Sequence, residues 1–172
     1  VLNRIRPSPD RDRPMKPTTI LVVGGTGFVG RHVVARLSAL NRRVVVPTRR
    51  LERARHLMIL PTVDVVSGSV ADDAGVDALL QGCDAVINLV GILHGDFERM
   101  HVELPRTVAE SCVRHGVTRL IHMSALNAAV DAPSAYLQSR GRGEQAVRAV
   151  ATRAPGLHLT VFQPSIVFGQ DD

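Results

Sequence analysis

The 172 residues are 45% hydrophobic and 22% charged, which excludes a disordered or fibrous chain and suits one domain with a sizeable core. The formal charge is +5, but residues 1–16 set five basic side chains against Asp10 and Asp12, so the rest of the chain carries only +2. With four phenylalanines, one tyrosine and no basic patch among them, the composition argues against a nucleic-acid partner, and no apolar run reaches the roughly 20 residues that span a bilayer.

Residues 1–17, rich in proline, arginine and aspartate, lack periodicity and predict a mobile basic tail, with the folded domain at 18–172. That tail contains Lys16, the only lysine, so no lysine is available to a mechanism inside the domain. From Ile20 onward, apolar runs alternate with helical stretches. Strands are predicted at Ile20–Val23, Val44–Thr48, Val63–Ser67, Ala85–Val90, Thr118–Met123 and His158–Gln163. Most are β-branched with few polar breaks, as parallel strands buried on both faces require. Helices are predicted at about 28–40, 51–58, 73–81, 98–115 and 135–152. Repeated βα alternation predicts an α/β fold, a doubly wound parallel sheet of the Rossmann type with helices on both faces.

The first strand runs into Gly24-Gly25-Thr26-Gly27-Phe28-Val29-Gly30 and then a helix. A tight turn, close backbone approach to a pyrophosphate and close helix–strand packing each need a glycine, and the helix's free amides suit the anion. This order of strand, loop and helix predicts dinucleotide binding through Gly24, Thr26, Gly27, Phe28, Val29 and Gly30. Arg49 lies 19 positions past Gly30, where an acidic residue would hold a free ribose 2′-hydroxyl. Arg49 and Arg50 instead suit a 2′-phosphate through charge-assisted bonds, favouring NADP over NAD. The other reading of this pair is a helix cap or a solvated surface. Ser69 and Val70, after the third strand, and Leu89, Val90 and Gly91, after the fourth, lie where open α/β sheets bind ligands. An ordinary strand-ending turn fits the same positions.

His94 and His101, and His115 and His122, are each seven apart and form no compact ligand set, so no metal is predicted. His122 reads as a satisfied core or edge histidine. Asp72 and Asp73 read as helix caps. Cys83 and Cys112 read as buried free thiols in a reducing compartment such as the cytoplasm.

The glycine loop, Asn88-Leu89-Val90-Gly91 and Tyr136 four residues before a basic residue resemble the extended and atypical short-chain dehydrogenase/reductases. The segments Ile121–Ala128, Ser134–Leu137, Gly143-Glu144 and Gln163-Pro164-Ser165-Ile166-Val167-Phe168-Gly169 are similar to the NAD(P)-binding accessory subunits of respiratory complex I and their bacterial relatives. The resemblance implies that Pro164 and Ile166 border the cofactor. It also implies a protein partner, of a respiratory complex or another kind, and a place at the periphery of the inner membrane. Since such proteins continue well past the last of these segments, the chain is expected to be a fragment holding the nucleotide-binding half.

In the catalytic members of that superfamily a tyrosine acts as acid or base, and a lysine one helical turn later supports it. Here the pair is Tyr136 and Arg140. Arginine keeps the charge, but its planar fork aims differently. Ser124 is the hydroxyl at the end of the fifth strand, followed by Ala125 and Leu126, whereas catalytic members carry the working hydroxyl one or two positions later. Two altered positions of three favour cofactor binding for structural or assembly purposes. The alternative is an NAD(P)-dependent oxidoreductase or nucleotide-sugar epimerase/dehydratase in which Tyr136 is the acid/base.

Overall fold

In the computed structural model the described residues are 18–70 and 72–169; the expected tail at 1–17 lies outside them. Six strands form one parallel sheet. They are β1 (Thr19–Val23), β2 (Arg43–Thr48), β3 (Val63–Ser67), β4 (Ala85–Asn88), β5 (Arg119–Met123) and β6 (His158–Phe162), in the order β3-β2-β1-β4-β5-β6. The order reverses beside β1, which pairs with β2 on one side and β4 on the other, and so opens a crevice at the carboxyl ends of those strands.

The alternation in β1 explains the layers. Ile20 and Val22 face a core shared with Val34 of α1 (Phe28–Ala39) and Leu57 of α2 (Arg55–Met58). Leu21 and Val23 face a core shared with α3 (Asp73–Leu80), α4 (Leu104–Arg114) and α5 (Ala135–Arg153). Every residue of that strand after Thr19 is buried, so the continuous apolar run signals two covered faces.

Some element ends differ from expectation. Strand β4 stops at Asn88, not Val90, because the Asn88 side chain turns back on the backbone: its Oδ1 accepts from the Val90 amide at 3.1 Å. The helix expected over 98–115 begins as a π-helical segment, Glu98–Glu103, and only then becomes α4. The stretch expected as one helix over 51–58 is a 3₁₀ turn, Leu51–Ala54, followed by the single turn of α2.

Asp72 caps α3, its carboxylate accepting from the Gly75 amide at 2.8 Å. Asp73 sits in the first turn and accepts from the Thr107 hydroxyl on α4. Asp72→Ala is therefore expected to cost about 1 kcal/mol and lower the melting temperature by roughly 2–4 °C, measurable by thermal denaturation.

Candidate functional site

The glycine loop folds as its composition demands. Gly24 adopts φ +83°, which L side chains rarely adopt. A Cβ on Gly30 would lie 2.2 Å from the Gly24 carbonyl oxygen, so α1 can pack against the loop only without a side chain there. Gly27 occupies the N-cap of α1 with no side-chain cap, and no acidic residue stands in the first turn. The helix start thus keeps its partial positive charge and offers amides to an anion. Such a cradle fits a pyrophosphate.

The loop forms one wall of a cleft of about 740 Å³. Of the expected residues, Gly24, Gly27, Phe28, Val29, Gly30, Leu89, Gly91, Ser124, Tyr136, Arg140, Pro164 and Ile166 line it together. Thr26, Arg49, Arg50, Ser69, Val70 and Val90 do not line it. Arg49 and Arg50 lie exposed just beyond β2, where the Thr48 hydroxyl accepts from the Arg50 amide at 3.1 Å and fixes the turn. Val70 and Val90 are half-buried against the larger core. The sequence reading missed Leu93, Met123, Ala125, Leu126, Asn127, Leu137, Ser165 and Val167, which also line the cleft. Most follow the carboxyl ends of β5 and β6, and that position was their available signal.

Strand pairing carries the far wall. The Ser124 amide donates to the Phe162 carbonyl at 2.7 Å, and the Leu126 amide donates to the Pro164 carbonyl at 2.8 Å. These two bonds extend the β5–β6 pairing beyond the ladder and bring residues 124–126 beside 164–167.

Arg140 is the most constrained charge in the site. It is 4% exposed, and its guanidinium donates to three backbone carbonyls: Val90 at 2.8 Å, Met123, and Ser124 at 3.2 Å. The β4–β5 ladder ends at Asn88↔His122, so the fork joins the two strand exits just where regular pairing stops. Burial lowers its pKa, against the pull of Tyr136 and Glu144, yet an arginine remains a cation. The charge is thus spent largely on the protein's own backbone.

Tyr136 projects from the first turn of α5, whose N-cap Ser134 accepts from the Leu137 amide at 3.2 Å. Its ring meets Phe97 and His101 edge to face, with centroids 6.2 and 5.5 Å away, while Phe97 and His101 stack on each other at 5.2 Å. His101 accepts at Nε2 from the Ile92 amide at 3.0 Å, so its proton resides on Nδ1, 2.8 Å from the Ser139 hydroxyl. That hydroxyl in turn donates to the Tyr136 carbonyl at 2.7 Å. Burial, then the neighbouring Arg140 charge, hold His101 down at about 4. A histidine set aside in the sequence thereby supports the turn that carries Tyr136.

His122 is buried, as expected, but it is not satisfied: Nδ1 lies 3.4 Å from the Asn88 side-chain nitrogen, while the buried Nε2 has no hydrogen-bond partner among the described residues. Burial, then Arg140, hold it down at about 4. Burial pushes Glu144 up, but hydrogen bonds from Gln163 and Arg148, each at 2.9 Å, outweigh it and keep the carboxyl below its ordinary value. Among the described residues no group of three or more His, Cys, Asp or Glu could hold a metal ion, and no helix is long and apolar enough to cross a membrane.

Comparison with known proteins agrees with this geometry. The mouse mitochondrial protein NADH dehydrogenase [ubiquinone] 1 alpha subcomplex subunit 9 is 33% identical over 159 residues, covering 88% of this chain and 41% of that protein. Ceramide reductase of Caulobacter vibrioides is 29% identical over 157 residues, covering 89% of this chain and 47% of its own length. The chain therefore spans less than half the length of both curated relatives. Among solved structures, yeast methylglyoxal/isovaleraldehyde reductase Gre2 complexed with NADPH superposes with a TM-score of 0.76 at 18% identity, over 88% of this chain and 59% of that one. The model of the NAD(P)H-binding family matches residues 24–167. Since that span opens on the first glycine of the cradle and runs through every strand after β1, the chain belongs to the NAD(P)H-binding family and binds a nicotinamide dinucleotide.

Proposed function

We propose that this chain is the nucleotide-binding part of a protein of the complex I accessory-subunit type, in which the dinucleotide serves mainly to stabilise the fold and its assembly with a protein partner, at the periphery of a respiratory membrane. Gly24, Thr26, Gly27, Phe28, Val29 and Gly30 hold the pyrophosphate side. Leu89, Gly91, Pro164 and Ile166 border the nicotinamide half, and Ser69 the adenine. When bound, the nicotinamide ring supplies the capacity to carry hydride. The observation that carries the reading is Arg140: its guanidinium is bonded to three backbone carbonyls, which leaves little of it for a ribose hydroxyl or the Tyr136 phenol. The likeness to the mouse subunit supports the assignment of type.

NADP(H) is the preferred ligand, because Arg49 and Arg50 stand exposed at the carboxyl end of β2 with Glu52 the first acidic residue after them. Changing both to alanine is expected to weaken NADPH binding about tenfold or more and to leave NADH binding little changed, by fluorescence titration.

The test of the reading uses the full-length protein. The expected result is a co-purifying dinucleotide, identified by mass and absorbance, that raises the melting temperature without being turned over. Turnover of the cofactor with a carbonyl compound or a nucleotide sugar, abolished by Tyr136→Phe, would overturn it.

Two observations favour a second reading, an oxidoreductase: Tyr136 lines the cleft, and the Caulobacter relative is named as a reductase. In that case Tyr136 is the acid/base and Arg140 stands in for lysine. Arg140→Lys would then preserve or raise activity and Arg140→Ala would remove it.

A further inference from the structure

Two stretches that line the cleft are joined behind it by one buried ring. Gly91 and Leu93 lie on the loop that leaves β4, and Tyr136 lies in the first turn of α5; all three line the cleft. His101 is 1% exposed and does not line it. Among the described residues His101 is the only side chain that hydrogen-bonds to residues 91–95, where its Nε2 accepts from the Ile92 amide. Its Nδ1–H donates to the Ser139 hydroxyl, which holds the Tyr136 carbonyl three residues earlier.

The ring is itself held from the helix side. His101 sits in the π-helical stretch Glu98–Glu103, and a Cβ on Gly143 would collide with the His101 carbonyl oxygen, so α5 rests directly on that backbone. Phe97 stacks on the ring at 5.2 Å, and the exposed Arg142–Glu98 ion pair, 3.0 Å long, joins the same two helical segments at the surface. Short π-helical turns are rare and occur frequently at functional sites.

The chemistry of the ring matters as much as its place. Only a neutral imidazole accepts at one nitrogen while it donates at the other. Burial, then the Arg140 charge, hold His101 at about 4, so the ring is neutral near pH 7. An apolar ring of equal size would fill the space and leave the Ile92 amide without this acceptor. A loop freed there must be ordered again each time a ligand enters, and that cost is subtracted from the binding free energy.

We infer that His101 is a positioning residue for the dinucleotide: it ties the loop after β4 to α5 and so sets the affinity of the cleft without touching the ligand. The inference rests on the dinucleotide site. Since β2 and β4 flank β1 on opposite sides, His101 acts apart from Arg49 and Arg50, and its effect is the same for NADH and NADPH.

The test titrates the full-length protein with NADH and NADPH by cofactor fluorescence and records the melting temperature of each variant. His101→Phe keeps the ring's volume and its stack on Phe97 but removes both nitrogens. It is expected to weaken both cofactors by one common factor, about tenfold or more. In His101→Gln the amide oxygen takes the place of Nε2, so most of the affinity should return. In His101→Asn the amide matches Nδ1 and leaves Ile92 without its acceptor, so binding should stay as weak as in the phenylalanine variant. Affinities that merely follow the melting temperatures, or variants that all bind like wild type, would overturn the inference. If none of the variants folds, amide exchange in the wild type decides. Binding and loop closure are reciprocal, so saturation with NADPH should slow exchange at Ile92 by about tenfold, and unchanged exchange sinks the inference. A wild type that binds neither dinucleotide would remove the site and the inference together.

Discussion

Replacing Arg140 with alanine is expected to lower the folding stability by about 3 kcal/mol or more, read from the urea midpoint of the unfolding transition. Three backbone carbonyls lose their donor at once, and each sits where the β4–β5 ladder has ended and no amide of the neighbouring strand replaces it. An unsatisfied buried acceptor costs about 1–3 kcal/mol, and the vacated side-chain volume adds to that. Arg140→Lys should fall between wild type and alanine, because an ammonium on a shorter stem does not span both strand exits in one plane. The comparison also separates the two functional readings. If residue 140 acts on the ribose and the phenol, lysine should match or exceed arginine in activity. If it acts on the backbone, lysine should weaken the fold and create no turnover. Loss of stability below about 1 kcal/mol in the alanine variant would show that the three bonds contribute little.

A second large effect concerns acid. His101 and His122 are both held at about 4, against an ordinary value of 6.5. In the unfolded chain these rings protonate as pH falls through 6.5, whereas in the folded chain they stay neutral until about 4. The folded state therefore has its full share of stability above pH 6.5 and loses it progressively as pH falls toward 4. With a discount for screening near the cleft, the two rings together should remove roughly 3 kcal/mol between pH 7 and pH 5. Glu144, held below its ordinary value, works in the same direction at lower pH. Urea titrations at pH 7 and pH 5 check this, and the double variant His101→Gln/His122→Gln should flatten the difference. An unchanged slope in that variant would assign the acid sensitivity to the carboxylates.

Much of this arrangement was legible in the sequence, and the rest was hidden for identifiable reasons. The alternation of β-branched runs and helical segments gave the sheet, because parallel strands covered on both faces leave a pattern that local composition records. The glycine loop was equally readable, since a Cβ at Gly30 is sterically impossible and the residue type reports that directly. The reach of Arg140 was not readable. Spacing places residue 140 one helical turn after Tyr136, but which carbonyls its fork meets depends on where β4 and β5 release their chains. His101 was hidden for the same reason. Phe97 is a neighbour one turn away on the same helical stretch, but Ile92 comes from the loop after β4 and Ser139 from α5, which only the packing of α5 on the π-helical stretch brings to the ring. Asn88 shows a third kind of limit: the residues up to Val90 suit a strand, and a single side chain folded back on the backbone ends it early.

Gly91 stands directly opposite the Arg140 fork, and a Cβ placed on it would come within 3.4 Å of Nη1. The two positions therefore form one unit of design. A Cβ at 91 would rest against the guanidinium at van der Waals distance, so a larger side chain there competes with it for space, while a shorter side chain at 140 leaves a hollow above the backbone. An engineer seeking to restore a lysine at 140 should search both positions together, because each residue sets the shape available to the other.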